Sequence, residues 1–168
     1  PKDVFPTQAF FRHLKNGDIY VGGFYAKKDK QRNQHNDGVF LVKYSQNLEA
    51  EKMSIHPWKK EFLDQLDEEY DLFIGKTFFN NLSIGNAIID YSAQSITFVS
   101  ERRYTKSVKK QNMDHTYWTY HYSNSLIIPS FSFDGNLRWV SYVQKDFKIR
   151  DKERASSSYV LGYKNGNI

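Results

Sequence analysis

The 168-residue sequence predicts a mainly β fold, an antiparallel meander of units that resemble the blades of a β-propeller. Three observations predict it. Short apolar runs alternate with Asn-Gly and Asp-Gly turns, aromatic residues make up 17% of the chain, and two long segments resemble each other. The alternative is a β-sandwich whose two halves look alike. We treat residues 1–168 as a single β-rich region.

The first half of the chain contains three predicted strands. Asn16-Gly17 is typical of a tight turn, and the β-branched and aromatic residues of 19–25 follow it. Gly22-Gly23 inside this strand indicates a bulge or the close approach of a neighbouring backbone. Asp37-Gly38 precedes a second strand at 39–44, and a turn at Gln46-Asn47 leads to a third at 48–55.

One amphipathic helix is predicted near residues 58–70. Pro57 suits the first helical position, because its missing N–H would be unpaired there. Apolar residues then recur every four positions and acidic residues occupy the remaining surface. The apolar positions are Trp58, Phe62, Leu66 and Tyr70.

The second half is predicted to contain strands at 84–91, 95–104, 126–133 and 137–143. Asp134-Gly135 is the turn of the last hairpin. Residues 105–123 are interpreted as a long polar insertion rich in Lys and Tyr. Pro129 indicates an edge strand or a bulge, because proline has no N–H to donate to a neighbouring strand.

Internal similarity divides the chain into units. Residues 14–19 (LKNGDI) resemble 163–168 (YKNGNI), and 91–96 can be aligned with both. The equivalent isoleucines are Ile19, Ile96 and Ile168, so the spacings are 77 and 72 residues. Residues 38–48 likewise resemble 125–137. We therefore expect units at about 14–90 and 91–160 and a third beginning near 163, which are too few to close a propeller and suggest part of a larger protein.

Composition excludes several function classes. The chain has no cysteine, which rules out disulfides, thiol catalysis and Cys-based zinc sites. The net charge of +5 is modest, so we expect no nucleic-acid partner. No apolar run approaches the roughly 18 residues of a membrane span, and no cofactor or metal motif is present.

Two stretches resemble a group of uncharacterised exported proteins of Bacteroidetes. They are NGDIYVGGFY with DGVFLVKY, and ITFVSE with YHYSNSLIIPSFSFDGNLRWVSYVQK. In that group a strand ending in Glu precedes a Tyr-rich insertion and a D-G-x-x-x-W hairpin, here Glu101, residues 117–122, and Asp134, Gly135 and Trp139. The resemblance implies a propeller-like repeat fold and a location in the periplasm, on the outer-membrane surface or outside the cell. It implies no activity.

The candidate binding site is the aromatic part of the insertion. Its residues are Tyr117, Trp118, Tyr120, His121 and Tyr122. Flat apolar rings with polar tips suit a sugar, and the same rings suit a protein interface. The alternative is a hairpin arm whose rings pack across strands.

Other candidate groups are weaker. A basic run with Tyr104 among it suggests phosphate contacts and base stacking, but we favour a solvated loop. Its members are Arg102, Arg103, Lys106, Lys109 and Lys110. His115 and His121 are six residues apart, which fits no common metal-ligand spacing. Glu101, next to two arginines, is interpreted as a paired carboxylate.

These observations favour a non-catalytic binding or scaffold module of an exported bacterial protein, as a fragment of a larger propeller. The partner would be a protein or a glycan that contacts the aromatic insertion. The alternative is part of a glycan-active enzyme, which would need two carboxylates in one cleft. A nucleic-acid binder is a weaker alternative.

Overall fold

A computed structural model describes residues 3–27, 35–70, 79–109 and 117–150. It confirms a mainly β chain, which forms two four-stranded antiparallel sheets with one helix between them in sequence. In each sheet the spatial order of the strands follows the chain order. Sheet 1 contains β1 (Val4–His13), β2 (Ile19–Lys27), β3 (Gly38–Tyr44) and β4 (Ala50–Pro57). The helix α1 (Lys60–Tyr70) follows, and sheet 2 contains β5 (Leu82–Asp90), β6 (Ser95–Lys109), β7 (Tyr117–Ser132) and β8 (Leu137–Arg150).

Three hairpin turns share one backbone geometry. Gly17, Leu48 and Gly135 all have positive φ, at 89°, 62° and 86°. Each donates its N–H to the carbonyl three residues earlier, at 2.9 to 3.0 Å. The predicted turns at Asn16-Gly17, Gln46-Asn47 and Asp134-Gly135 are therefore confirmed, and Gln94 (φ 48°) is the left-handed residue of the β5–β6 turn.

The core lies between the two sheets and is built on aromatic rings. Phe98 of sheet 2 is fully buried, and its ring centroid lies 5.1 Å from that of Phe10 and 5.5 Å from that of Phe24, both in sheet 1. Gly22 makes room for this contact, because a Cβ there would lie 2.7 Å from Phe10. The predicted close approach of a neighbouring backbone is found at Gly23, where a Cβ would overlap the carbonyl oxygen of Gln8.

The first strands of the two sheets approach each other most closely. The side-chain oxygen Oε1 of Gln8 on β1 accepts the N–H of Ile84 at 2.9 Å. Arg12 donates to the carbonyl of Ala87 at 3.3 Å and to Oδ1 of Asn86 at 3.2 Å. Side chains of β1 thus hold the backbone of β5, and the sheets are anchored to each other along this line.

The segment before α1 and the helix itself cover part of the core. The Trp58 ring stacks on Phe79 at 4.7 Å, and its Nε1 donates to the carbonyl of Asn36 at 2.8 Å. The buried Asn36 side chain donates in turn to the carbonyl of Phe79. Phe62 and Leu66 of the helix pack on the same core, as their spacing predicts.

The helix begins later than predicted. Pro57 is the last residue of β4, where it pairs with Gly38, and α1 begins at Lys60. Proline is acceptable at this position because β4 is an edge strand of sheet 1. The prediction that Pro57 opens the helix is therefore wrong.

The sequence prediction also missed strand residues. It did not include β1, and it placed a polar insertion at 105–123 where β6 runs to Lys109 and β7 begins at Tyr117. Pro129 lies in β7, an inner strand rather than an edge. It pairs with Val140 of β8 and lies one residue before the irregularity at Ser130/Phe131, so the predicted edge position is wrong and the predicted bulge is adjacent. The predicted third unit near 163 lies outside the described residues.

The shared turn geometry leads to a paired stability prediction. Leu48 is 68% exposed, so replacing it with glycine removes backbone strain and little packing. We expect Leu48→Gly to raise the free energy of unfolding by about 0.5–1 kcal/mol and Gly135→Ala to lower it by about 1–2 kcal/mol. Urea denaturation measures both. A destabilised Leu48→Gly would contradict the assigned turn.

Candidate binding surfaces

The ends of three strands of sheet 2 extend beyond the core as a three-stranded ribbon, formed by residues 103–109 of β6, 117–123 of β7 and 147–150 of β8. In the ribbon, Tyr122 pairs with Tyr104 on one side and with Lys148 on the other. Tyr120 likewise lies between Lys106 and Arg150. The ribbon contains all five residues of the predicted site.

Strand alternation divides the predicted site between the two faces of the ribbon. Trp118, Tyr120 and Tyr122 lie on one face, which we call the ring face. Tyr117 and His121 lie on the opposite face and are exposed. A single ligand on one face therefore contacts three of the five predicted residues.

Aromatic rings on the ring face pack across the strands. The rings of Tyr104 and Tyr122 are stacked, with centroids 4.7 Å apart and planes 6° apart. The ring of Tyr120 lies 6.5 Å from that of Tyr122. The alternative of cross-strand ring packing thus describes this face, although Tyr104 was assigned to the basic run on sequence.

Cations lie over these rings. The Lys148 ammonium is 4.3 Å from the Tyr120 centroid and 5.6 Å from that of Tyr122. The Arg150 guanidinium is 4.1 Å from the Trp118 ring. Such contacts are worth about 0.5–1 kcal/mol each at exposed sites, so they fix the cations more than they stabilise the fold.

The predicted basic run is also divided. Arg102 lies 5.2 Å from the Tyr104 centroid, and Lys106 alternates with them on the ring face. Arg103 and Lys109 project from the opposite face, and Lys110 lies outside the described residues. The loop part of the solvated-loop interpretation is wrong, because the described part of the run is strand, whereas Arg103, Lys106 and Lys109 are exposed to solvent as expected.

Glu101 lies where the ribbon meets the core, and its side chain is 1% exposed. It accepts hydrogen bonds from Lys145 at 2.7 Å, from Nε of Arg103 at 2.6 Å and from the Ser123 hydroxyl. Burial would raise the pKa of Glu101, but these three donors together lower it. Glu101 is therefore an ionised structural carboxylate, as its paired interpretation predicted.

Two further carboxyl groups have displaced pKa values, and both serve turns. The Ser92 hydroxyl, together with backbone N–H groups, lowers the pKa of Asp90. The Ser132 hydroxyl and the Asn136 N–H do the same for Asp134. A general acid needs a raised pKa, so none of these three carboxyl groups suits that role. Within the described ranges, no group of three or more His, Asp or Glu is placed to hold a metal ion.

The two sheets repeat the same pairing register. An offset of 87 residues (from 43 to 130 and from 52 to 139) carries the pair Lys43–Lys52 of sheet 1 onto Ser130–Trp139 of sheet 2. It holds for every β3–β4 pair, including the irregularity at the end of β3. Between β2 and β6 the offset is 77, and it carries position 20 onto 97 and the left-handed Gly17 onto the left-handed position 94.

Equivalent positions of the two sheets face the core in one sheet and the outside in the other. In sheet 1 positions 20, 39 and 41 face the shared core, whereas their counterparts 97, 126 and 128 lie on the outer face of sheet 2. The core-facing Ile96 and Ile127 of sheet 2 correspond to positions 19 and 40 on the outer face of sheet 1. The sheets therefore pack head to tail, each with a different face.

Both outer faces carry clusters of apolar residues. The outer face of sheet 1 holds the buried cluster Tyr25, Phe40 and Val42 and the exposed Phe11 (57%) and Met53 (51%). The outer face of sheet 2 holds the buried cluster Val99, Leu126 and Ile128 and the exposed Trp139 (42%) and Val143 (44%). An isolated sandwich would place polar residues on its outer faces.

Comparisons with known proteins add no relative. No protein-family model matches the chain, and no curated protein matches it. Among the described helical residues, none forms a helix of the length and apolarity needed to cross a membrane.

The Glu101 cluster predicts a specific pH dependence. Because the folded pKa lies below the unfolded value of about 4.3, the cluster stabilises the fold above about pH 5 and loses this contribution as the pH falls. We expect Glu101→Gln to cost about 2 kcal/mol at pH 7 and less at pH 3. Urea denaturation at both pH values measures this, with Glu49→Gln, an exposed carboxylate, as the matched control. A cost that is equal at both pH values would contradict the assigned role.

Proposed function

We propose that this chain is a non-catalytic binding and scaffold module, built from two equivalent blade-like units that stack with further units of the same kind. In this proposal the ribbon is the binding element that the scaffold displays. The chain is then a segment of a propeller-type array, and the resemblance to exported proteins suggests that it functions outside the cytoplasm.

The head-to-tail relation of the sheets carries the proposal. The two faces that meet in the core are not equivalent. Each unit can therefore pack one of its faces against the opposite face of a neighbouring unit. The outer face of sheet 1 then corresponds to the face that sheet 2 packs into the core, and the outer face of sheet 2 corresponds to the face that sheet 1 packs there. An interface of this heterologous kind continues until a ring closes or an open array forms.

Two further features favour a propeller over a sandwich. The β1–β2 turn of sheet 1 and the β5–β6 turn of sheet 2 lie at the same end, where Lys15 donates its N–H to the Tyr91 hydroxyl at 3.1 Å. The strands that approach most closely are the first of each sheet. Radially arranged blades have this pattern, because their first strands surround a central axis.

A glycan-active enzyme is the less favoured alternative. The buried carboxylate at the junction of ribbon and core, Glu101, is held by two cations and a hydroxyl, and its lowered pKa keeps it ionised. A retaining or inverting glycosidase needs a second carboxyl group that stays protonated until it acts. No displaced carboxyl group of the described residues has the raised pKa which that role requires.

Self-association of the chain tests the stacking. We expect its mass in sedimentation equilibrium to rise with concentration from 19.9 kDa through dimers to larger species, because a second copy supplies the missing unit. Met53→Glu blocks the outer face of sheet 1, and Trp139→Glu blocks that of sheet 2. Each variant alone should remain a monomer, and an equimolar mixture should form a dimer that grows no further.

The mixing result separates heterologous from isologous association. If one outer face paired with itself, one variant would still dimerise alone and mixing would add nothing. Leu48→Glu changes an exposed apolar residue in a turn and serves as the control, with association unchanged. A wild-type chain that stays monomeric at every accessible concentration would contradict the stacking proposal.

A further inference from the structure

The ring face of the ribbon carries a row of positive charges. Lys106, Lys148 and Arg150 lie on this face, and no ion pair joins any of them to a carboxylate among the side chains that the structure describes. The opposite face differs, because there Arg103 and Lys145 are bound to Glu101. The ring face therefore attracts anions, whereas the charges opposite are used in the fold.

These three cations are regularly spaced on the ring face. Lys148 and Arg150 are two residues apart on β8, which corresponds to about 7 Å along the strand. Lys106 and Arg150 flank Tyr120 from the two neighbouring strands, which corresponds to about 10 Å across the ribbon. Because cation–π contacts fix Lys148 and Arg150 before any ligand arrives, ordering these two side chains on binding costs little entropy.

Ring geometry decides which part of a ligand this face recognises. Tyr104 and Tyr122 stack on each other, so one side of each ring is closed. Arg102 lies over the ring of Tyr104, and Lys148 lies within cation–π range of Tyr122. A sugar or base that stacked on these rings would have to displace a neighbour. An anionic group between the cations displaces nothing.

We propose that the ring face binds an acidic polysaccharide through its carboxylate or sulfate groups. This inference rests on the ribbon being the binding element of the proposed module. A polymer fits better than a small anion, because the cations are spread over an open face and act together. A polysaccharide fits better than a nucleic acid, because the covered rings leave no free aromatic surface on which a base could stack. Tyrosine hydroxyls and cationic groups can instead hydrogen-bond to sugar hydroxyls and acid groups.

Binding to polygalacturonate, followed by calorimetry at low salt, tests the proposal. We expect binding that weakens as salt approaches about 0.15 M. The double variant Lys148→Gln with Arg150→Gln should lower the affinity by about tenfold or more, at about a factor of ten for each 1.4 kcal/mol lost. Lys59→Gln with Lys60→Gln removes the same charge elsewhere on the surface and should change the affinity by less than about twofold.

A second variant separates the arrangement of the cations from their charge. Trp118→Leu leaves the net charge unchanged and removes the ring beneath Arg150. We expect it to weaken polygalacturonate binding by about twofold to fivefold, because an Arg150 side chain that the ring no longer holds must be ordered on binding. Thermal denaturation verifies that each variant is folded.

Several outcomes would overturn the proposal. One is that neutral dextran binds as tightly as polygalacturonate. Another is that the Lys148/Arg150 variant keeps full affinity. The third is that neither polygalacturonate nor heparin binds. Tighter binding of single-stranded oligothymidylate would assign the ring face to nucleic acid instead. The exchanged faces in the mixing experiment contain no ribbon residue, so failure here is distinguishable from failure of the stacking.

Discussion

The structure depends on the aromatic contact between its two sheets. Phe98 is fully buried between Phe10 and Phe24 of one sheet and Phe131 of its own. A four-stranded meander of this size has two faces and cannot bury either alone. Packing one face of each sheet against the other creates the core and leaves the second face of each in need of a partner. The same constraint therefore explains the stability of the pair and the apolar character of both outer faces.

Sheet 2 consists of a part that matches sheet 1 in strand pairing and of the ribbon. Strands β2, β3 and β4 pair in the same register as β6, β7 and β8, as expected if one unit was duplicated. The ribbon extends β7 beyond the described length of β3, since β7 is 16 residues long and β3 is 7. Function in repeat proteins commonly resides in such additions on a conserved framework. Glu101 connects the two parts, because its ion pairs join β6 and β8 where the ribbon begins.

Local sequence signals predicted the turns and the apolar strands and failed elsewhere for identifiable reasons. Asn-Gly and Asp-Gly specify left-handed residues directly, so those hairpins were predictable. The ribbon was not, because both of its faces carry polar or aromatic residues and no apolar–polar alternation marks it. Tyr104 was therefore separated from Tyr122, although they form one stack. β1 was missed because Pro6 and the adjacent irregularity interrupt its pattern. That equivalent faces of the two sheets lie on opposite sides of the core could be recognised only from the pairing register, which no local sequence signal contains.

A tandem duplicate of the full chain tests the central claim most directly, that the two sheets are equivalent units whose stacking continues. Denaturant unfolding of the duplicate is compared with that of the single chain. If the second copy stacks on the first, one outer face of each copy becomes buried, and the duplicate unfolds cooperatively at a higher denaturant concentration. If the two copies unfolded independently, at the midpoint of the single chain, the claim that stacking continues would be contradicted.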